Sequence, residues 1–447
     1  MEIKAFKAYR YNPDVVGDAG RCIAPPYDII SSEQQARLYQ QSPYNIVRII
    51  RGRTEAGDDE TKNQYIRAAD YLNEWIKKGV LKRDGKEAIY AYIQDFEIAG
   101  KKHSRSGFIA LGKLVEYGSG VRPHEETLDG PKADRLKLMQ ATAAQFGQIF
   151  MLYDDVRKTA DKVIEKTAAG KKPVIDFIDE DKVRHRMFII DDVRDISAIT
   201  QTVNDKETLI ADGHHRYETA LNYRRQTDNP AAQWQMMTFI NMQNKGLVIL
   251  PTHRLVGGVA DFDLKKLLAK LADDFECHKF AFSAKLNKAG PLRRGRTAAN
   301  AKEKMFEKVR SGFDAGRSCF GLYAANGAFY AIELKDYAVM DKIAPQLSIA
   351  SRRLDVTVLH KLILERVLGI GERQLAGETN IEYIKDIGSA VDEAIAAVEK
   401  GQKQVVFFMN LTRAEQVKQA AAANEKMPQK STFFFPKIFS GLTINKL

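Results

Sequence analysis

Residues 209–221 read Leu-Ile-Ala-Asp-Gly-His-His-Arg-Tyr-Glu-Thr-Ala-Leu, and the reading of that run decides the fold around it. Leu209, Ile210 and Ala211 form a short apolar lead. Asp212-Gly213 is a turn dipeptide, and Tyr217, Ala220 and Leu221 recur at the spacing of a buried helical stripe. The pattern predicts a strand, a tight turn and a helix beginning at His214. His214, His215 and Arg216 then occupy the first helical turn. There, unpaired backbone N–H groups and the positive end of the helix dipole favour anions. Three potential cations beside a carboxylate are the layout of a phosphate or carboxylate site. The alternative is a helix start whose histidines only cap and pack.

Around this run, residues 118–255 alternate short apolar runs with helical patterns. Strands are expected at 148–153, 174–178, 185–190, 208–211, 235–241 and 247–251, and further helices at 156–168 and 194–203. The first 117 residues read as a mixed unit. A rigid loop at Ala24-Pro25-Pro26-Tyr27-Asp28 precedes a helix opened by the Ser31-x-x-Gln34 capping pattern. A strand at 46–50, a helix at 59–78 and strands at 87–98 and 107–117 follow. Beyond 255 come a Lys-rich helix at 262–275, a hairpin at Asn326-Gly327, helices at 356–368 and 389–400, a strand at 404–409 and a helix after Thr412. The fold class is α/β with mixed sheets. The expected division is 1–117, 118–255 as a catalytic core, and 256–447, with 427–437 returning to that core.

A chain of 447 residues exceeds one typical domain. Its 44% hydrophobic and 28% charged content is that of a soluble globular protein. No apolar run approaches the roughly 20 residues of a membrane helix. The opening Met-Glu-Ile-Lys-Ala-Phe-Lys lacks the apolar stretch of a secretory signal. Cys22, Cys277 and Cys319 lie too far apart for a disulfide framework or a familiar zinc spacing. A cytoplasmic setting is expected, with no membrane partner. The net charge of +11 invites a nucleic-acid reading, but the excess is dispersed. Its densest cluster, Arg293-Arg294-Gly295-Arg296, reads as part of a loop. Anionic small molecules account for such a balance at least as well.

Three other stretches concentrate polar groups. In 121–136, Pro and Gly keep an irregular loop that carries His124, Glu125, Glu126, Lys132 and Arg135. Loops of this kind are where catalytic groups are commonly mounted, although a polar surface loop reads the same way. Met427-Pro428-Gln429-Lys430-Ser431 precedes the aromatic run Phe433-Phe434-Phe435, so Lys430 either reaches an anion or snorkels to solvent. Pro251-Thr252-His253-Arg254 resembles another strand-end site. No phosphate-binding P-loop, dinucleotide Gly-x-Gly-x-x-Gly or Gly-x-Ser-x-Gly elbow is present. His124-Glu125 opens like a zinc-protease helix, but Leu128 stands where its second histidine belongs.

Taken together, 121–128, 131–136, 211–220, 251–254 and 427–437, with Ala24 to Asp28, resemble the prokaryotic family catalogued as domain of unknown function 1015. A Pro-His-Glu loop followed by Asp-Gly-His-His-Arg at a helix start is also similar to the ParB/sulfiredoxin-like fold, and within it to the free-serine kinases. That second resemblance covers about a third of the chain. It implies transfer of a phosphoryl group between a nucleotide, ADP or ATP, and the hydroxyl of free L-serine, in either direction.

On that resemblance, Gly213 lets backbone approach the phosphates, and His214, His215 and Arg216 supply donors. Lys132, Arg135, Lys430 and Ser431 cover remaining charge, and Asp212 holds Mg²⁺ directly or through water. Glu125 or Glu126, beside His124, accepts the serine proton. A nucleotide-binding or nucleotide-hydrolysing regulator and a small-phosphoester hydrolase are the alternatives. No DNA-binding helix-turn-helix is apparent after residue 255.

Overall fold

Ile3–Lys4 (β1) pairs with the second arm of a long hairpin made by Ile89–Ile98 (β2) and Lys101–Lys113 (β3). The computed structural model describes residues 1–98, 100–125, 129–204, 206–282, 291–377, 379–423, 425–428 and 430–447. The hairpin's outer half, Lys101 to Ser106, is polar and carries no apolar alternation, so its strand character comes from register with β2. Val121–Arg122 (β4), Ile149–Tyr153 (β5), Ile175–Ile178 (β6), Arg184–Ile190 (β7), Thr208–Asp212 (β8) and Trp234–Asn241 (β9) complete one sheet. Its order is β4-β8-β5-β9-β3-β2-β7-β6, with β4–β8 and β5–β9 parallel and the other pairs along that path antiparallel. β5 and β9 are buried on both faces, which is why they read as unbroken apolar runs rather than alternating ones.

The chain divides into two compact units. The first comprises Met1–Pro123, Thr127–Val248 and Phe434–Leu447. Residues 1–117 and 118–255 therefore do not separate as the sequence predicts: β2 and β3 hydrogen-bond between β9 and β7 in one sheet. The helices of this unit include Ser32–Gln41 (α1), Val47–Ile50 (α2), Gln64–Lys77 (α3), Asp129–Thr142 (α4), Thr159–Gly170 (α5), Val193–Asn204 (α6) and His214–Gln226 (α7). Ser31 caps α1 through the Gln34 amide, as the capping pattern predicts. Residues 46–50 are a correction. Asn45 accepts the Val47 amide at 2.9 Å and the Ile50 amide reaches the Ile46 carbonyl at 3.0 Å, so the run closes a helical turn instead of a strand.

The second unit comprises His124–Glu126 and Ile249–Phe433. Thr252–Val256 (β10), Phe275–Ala281 (β11), Cys319–Tyr323 (β12), Ala328–Leu334 (β13), Ile381–Lys385 (β14) and Val405–Phe408 (β15) form an antiparallel sheet in the order β11-β13-β12-β15-β10-β14. The hairpin at Asn326-Gly327 joins β12 to β13, with Gly327 at φ 78°. Around this sheet lie Leu264–Leu271 (α8), Pro291–Asp314 (α9), Ala390–Glu399 (α10) and Ala414–Ala422 (α11). The Arg293 cluster therefore sits in a helix and not in a loop. The Ala- and Lys-rich run after it outweighs one glycine, which costs about 1 kcal/mol in a helix. Among the described residues, no helix is long and apolar enough to cross a membrane.

Candidate functional site

β8 ends at Asp212, Gly213 turns the chain at φ 95°, and α7 starts at His214 with the Tyr217 amide bonded to the Gly213 carbonyl at 3.0 Å. The strand–turn–helix reading holds. Arg216 folds back over the turn. Its guanidinium donates to Asp212 Oδ2 at 2.7 Å and to the Gln148 carbonyl. A Cβ on Gly213 would lie 3.0 Å from that guanidinium, so this position requires glycine both for its positive φ and for the space. Lys437 Nζ donates to Asp212 Oδ1 at 2.6 Å. Burial alone would raise the Asp212 pKa. Lys437 and Arg216, with His214 nearby, outweigh it and hold the carboxylate well below its usual range. Two cations against one anion leave the turn net positive at a helix N-terminus.

Lys437 owes its place to the β2–β3 hairpin. Gln94 and Arg105 face each other across it. Arg105, 1% exposed, donates to Gln94 Oε1 at 2.5 and 3.2 Å, to the Phe435 carbonyl at 3.1 Å and to the Pro436 carbonyl. Gln94 in turn donates to the Lys437 carbonyl at 2.9 Å. Burial brings the Arg105 pKa down to about 9. Neither residue is a sequence candidate for the site. Arg105 sits in the polar half of the hairpin, where residue order carries no signal that it faces inward.

Lys132 and Arg135 lie on α4, not in an irregular loop; Pro131 falls in the first helical turn, where its missing N–H costs nothing. Lys132 Nζ pairs with Glu218 Oε2 of α7 at 3.1 Å, which ties the two helices together. Arg135 pairs with Asp134, donates to the Ile50 carbonyl at 2.7 Å and lies 3.9 Å over the Tyr27 ring. Arg135 and Arg216 both line a narrow slot, together with Tyr27, Leu138, Thr219 and Gln235. Gln235 is 2% exposed, and among the described residues its Oε1 has no hydrogen-bond partner. His214 is buried and His215 half-buried, and neither lines this slot.

His124, Glu125, Lys430 and Ser431 belong to the second unit. The Met427 amide bonds to the His124 carbonyl at 2.7 Å, and Glu125 bridges to Met427 in parallel. The His124 ring is fully buried, with Nε2 2.8 Å from Thr432 Oγ1. Glu125 Oε1 accepts the Lys430 amide at 2.6 Å, and Lys430 presents that amide from a left-handed backbone at φ 56°. The Lys430 side chain is exposed. Ser431 Oγ donates locally to the Pro428 carbonyl. Glu126 lies outside the described residues.

The 251–254 stretch follows the strand Val248–Leu250, as its sequence predicts, and its last three residues open β10. Arg254 is 1% exposed, reaches the Lys430 carbonyl at 3.2 Å and His360 Nε2 at 3.4 Å, and is brought down to about 10 by burial, with Tyr383 and Glu125 opposing.

Asp212 does not fit the role of a magnesium ligand. Its two oxygens already hold an ammonium and a guanidinium, and a divalent ion there would face both charges. Among the described residues, no group of three or more His, Cys, Asp or Glu side chains could hold a metal.

These features define a mixed α/β protein with a cationic strand–turn–helix site in its first unit. The family described as "Protein of unknown function (DUF1015)" matches residues 3–357, and the chain belongs to it. The 427–437 stretch lies beyond that match. No curated protein matches the chain in sequence. Solved structures similar to it include a free serine kinase variant in complex with AMP, at 13% identity and a TM-score of 0.34, over 73% of this chain and 87% of that one. Another is a conserved hypothetical protein from Pyrococcus furiosus, at 15% identity and a TM-score of 0.33, over 76% of this chain and 94% of that one. A third is SbnI with a C-terminal truncation from Staphylococcus aureus, at 9% identity and a TM-score of 0.33, over 74% and 84%.

Proposed function

We propose that the Asp212–Gly213 turn binds the phosphates of a nucleotide, and that the protein moves a phosphoryl group between ADP or ATP and free L-serine, or back from phosphoserine. The observation that supports this reading is the fixed positive charge at the turn. Lys437 and Arg216 are each held on Asp212 at the mouth of a helix, so little reorganisation is needed to meet an anion. Phosphoryl transfer asks mainly for positioning and for neutralisation of the phosphate oxygens.

In the kinase direction the serine Oγ bonds to phosphorus, the bond to the nucleotide's bridging oxygen breaks, and the hydroxyl proton goes to a carboxylate. Glu125 takes that role in this reading, because a backbone amide already fixes one of its oxygens. A cytoplasmic setting belongs to the same reading.

Purified protein with Mg²⁺, phosphoserine and ADP or AMP, followed by phosphorus NMR, tests it. Phosphate gained by the nucleotide is the expected result, and Glu125→Gln is expected to slow it by about 10²–10⁴-fold. Free phosphate alone would assign a hydrolase. Tight nucleotide binding without turnover would assign a regulator. A loss below about tenfold in Glu125→Gln removes Glu125 from the role.

A further inference from the structure

The first unit holds a second, wider cleft, bounded by α1, the turn after α2, the start of α3 and the middle of α4. Three arginines line it: Arg51, Arg53 and Arg135. Arg135 is paired with Asp134, which also accepts the Tyr65 hydroxyl at 2.8 Å. Among the described residues, neither Arg51 nor Arg53 has a carboxylate partner. Arg51 donates to the Tyr27 carbonyl at 2.7 Å, and Arg53 lies 4.2 Å over the Tyr39 ring. Three guanidinium groups against the single lining carboxylate, Asp134, leave two positive charges facing one cavity. Arg51 is half-buried and Arg53 exposed, so both guanidinium groups remain open to an incoming anion.

We propose that this cleft is a binding site for a phosphate monoester of a polar small molecule. A monoester carries about −1.5 to −2 charges near pH 7, which matches the unpaired cations. Arginine presents its donors in a planar fork suited to phosphate oxygens. Ser32, Gln35, Thr54 and Gln64 add neutral polar groups to the lining, and these suit the hydroxyls or amides of the ester's alcohol rather than a lipid chain. Arg135 also lines the slot that reaches Arg216, but the site rests on its own lining and stands whether or not the chain transfers phosphoryl groups.

Isothermal titration of the full chain with phosphoserine, AMP and glucose 6-phosphate, each against serine, adenosine and glucose, provides the test, with citrate as a rival anion. At least one monoester should bind saturably while its alcohol does not. Arg51→Gln and Arg53→Gln should each weaken that binding about tenfold or more. Arg225→Gln, whose arginine pairs with Glu116 and lines neither cleft, should leave it unchanged.

Arg53 is exposed, so Arg53→Gln decides the matter even if Arg51→Gln fails to fold. Three results overturn the proposal: no monoester saturates at about 10 mM, citrate binds as tightly as the monoesters, or affinity is untouched in Arg53→Gln. Binding lost in Lys437→Met but kept in Arg53→Gln also overturns it, by placing the ester at the Asp212 turn.

Discussion

Asp212 in the first unit and Asp355 in the second are both largely removed from water, yet their pKa values move in opposite directions. Asp212 meets Lys437 and Arg216 at hydrogen-bond distance and stays ionised far below the ordinary range. Asp355 is pushed up to about 6 by burial. The Ser318 hydroxyl at 2.7 Å, the Asn410 side chain and the charge of Arg413 oppose that shift without overcoming it. Burial sets the demand at both positions, and the nearest cations decide whether it is met. The turn at Asp212 is thus built to keep charge, while the Asp355 pocket tolerates it.

The strongest way to break this contrast is Lys437→Met. Leaving Asp212 in place with one cation should cost about 3 kcal/mol at pH 7, read by urea unfolding. The sign with pH is fixed. A carboxylate whose folded pKa is depressed adds stability above its unfolded value near 4 and loses it as pH falls. The gap between wild type and Lys437→Met should therefore narrow below about pH 4, and a gap independent of pH would assign the loss to packing.

Gly213→Ala tests the seat of Arg216. A positive φ together with a guanidinium in the Cβ's place should cost about 2 kcal/mol. A neutral result would mean that Arg216 is free to leave the turn.

The smallest effect is expected at Asp355. Because its folded pKa is raised, the group opposes folding increasingly as pH climbs from 4 through 6. Asp355→Asn should gain about 1 kcal/mol at pH 8 and little at pH 4. Equal gains at both values would deny that ionisation is involved.

Much of this was legible in residue order. The turn and helix at 212–226, the cap at Ser31 and the hairpin at Asn326-Gly327 are local, since a glycine's φ, a serine's side-chain acceptor and a helical period act within a few residues. Residues 46–50 show where local reading fails. Five residues, four of them apolar, suit a strand or a turn of helix equally, and the Asn45 side chain settled it. Lys132 and Ser431 show another limit. Both look available in the sequence, but Glu218 and the Pro428 carbonyl hold them in the folded chain.

Residue order alone determined that a polar turn would open a helix at His214 and that glycine would sit at its bend, because those preferences belong to backbone sterics. Which cations reach Asp212 was decided only by the tertiary structure. Lys437 is 225 positions away, and it is delivered by an arginine and a glutamine facing each other across a hairpin. The same holds for the cleft at Arg51, whose charge goes unanswered only once α1, α3 and α4 close around it. Electrostatic neighbours are set by packing, and packing joins residues with no local signal of their partnership.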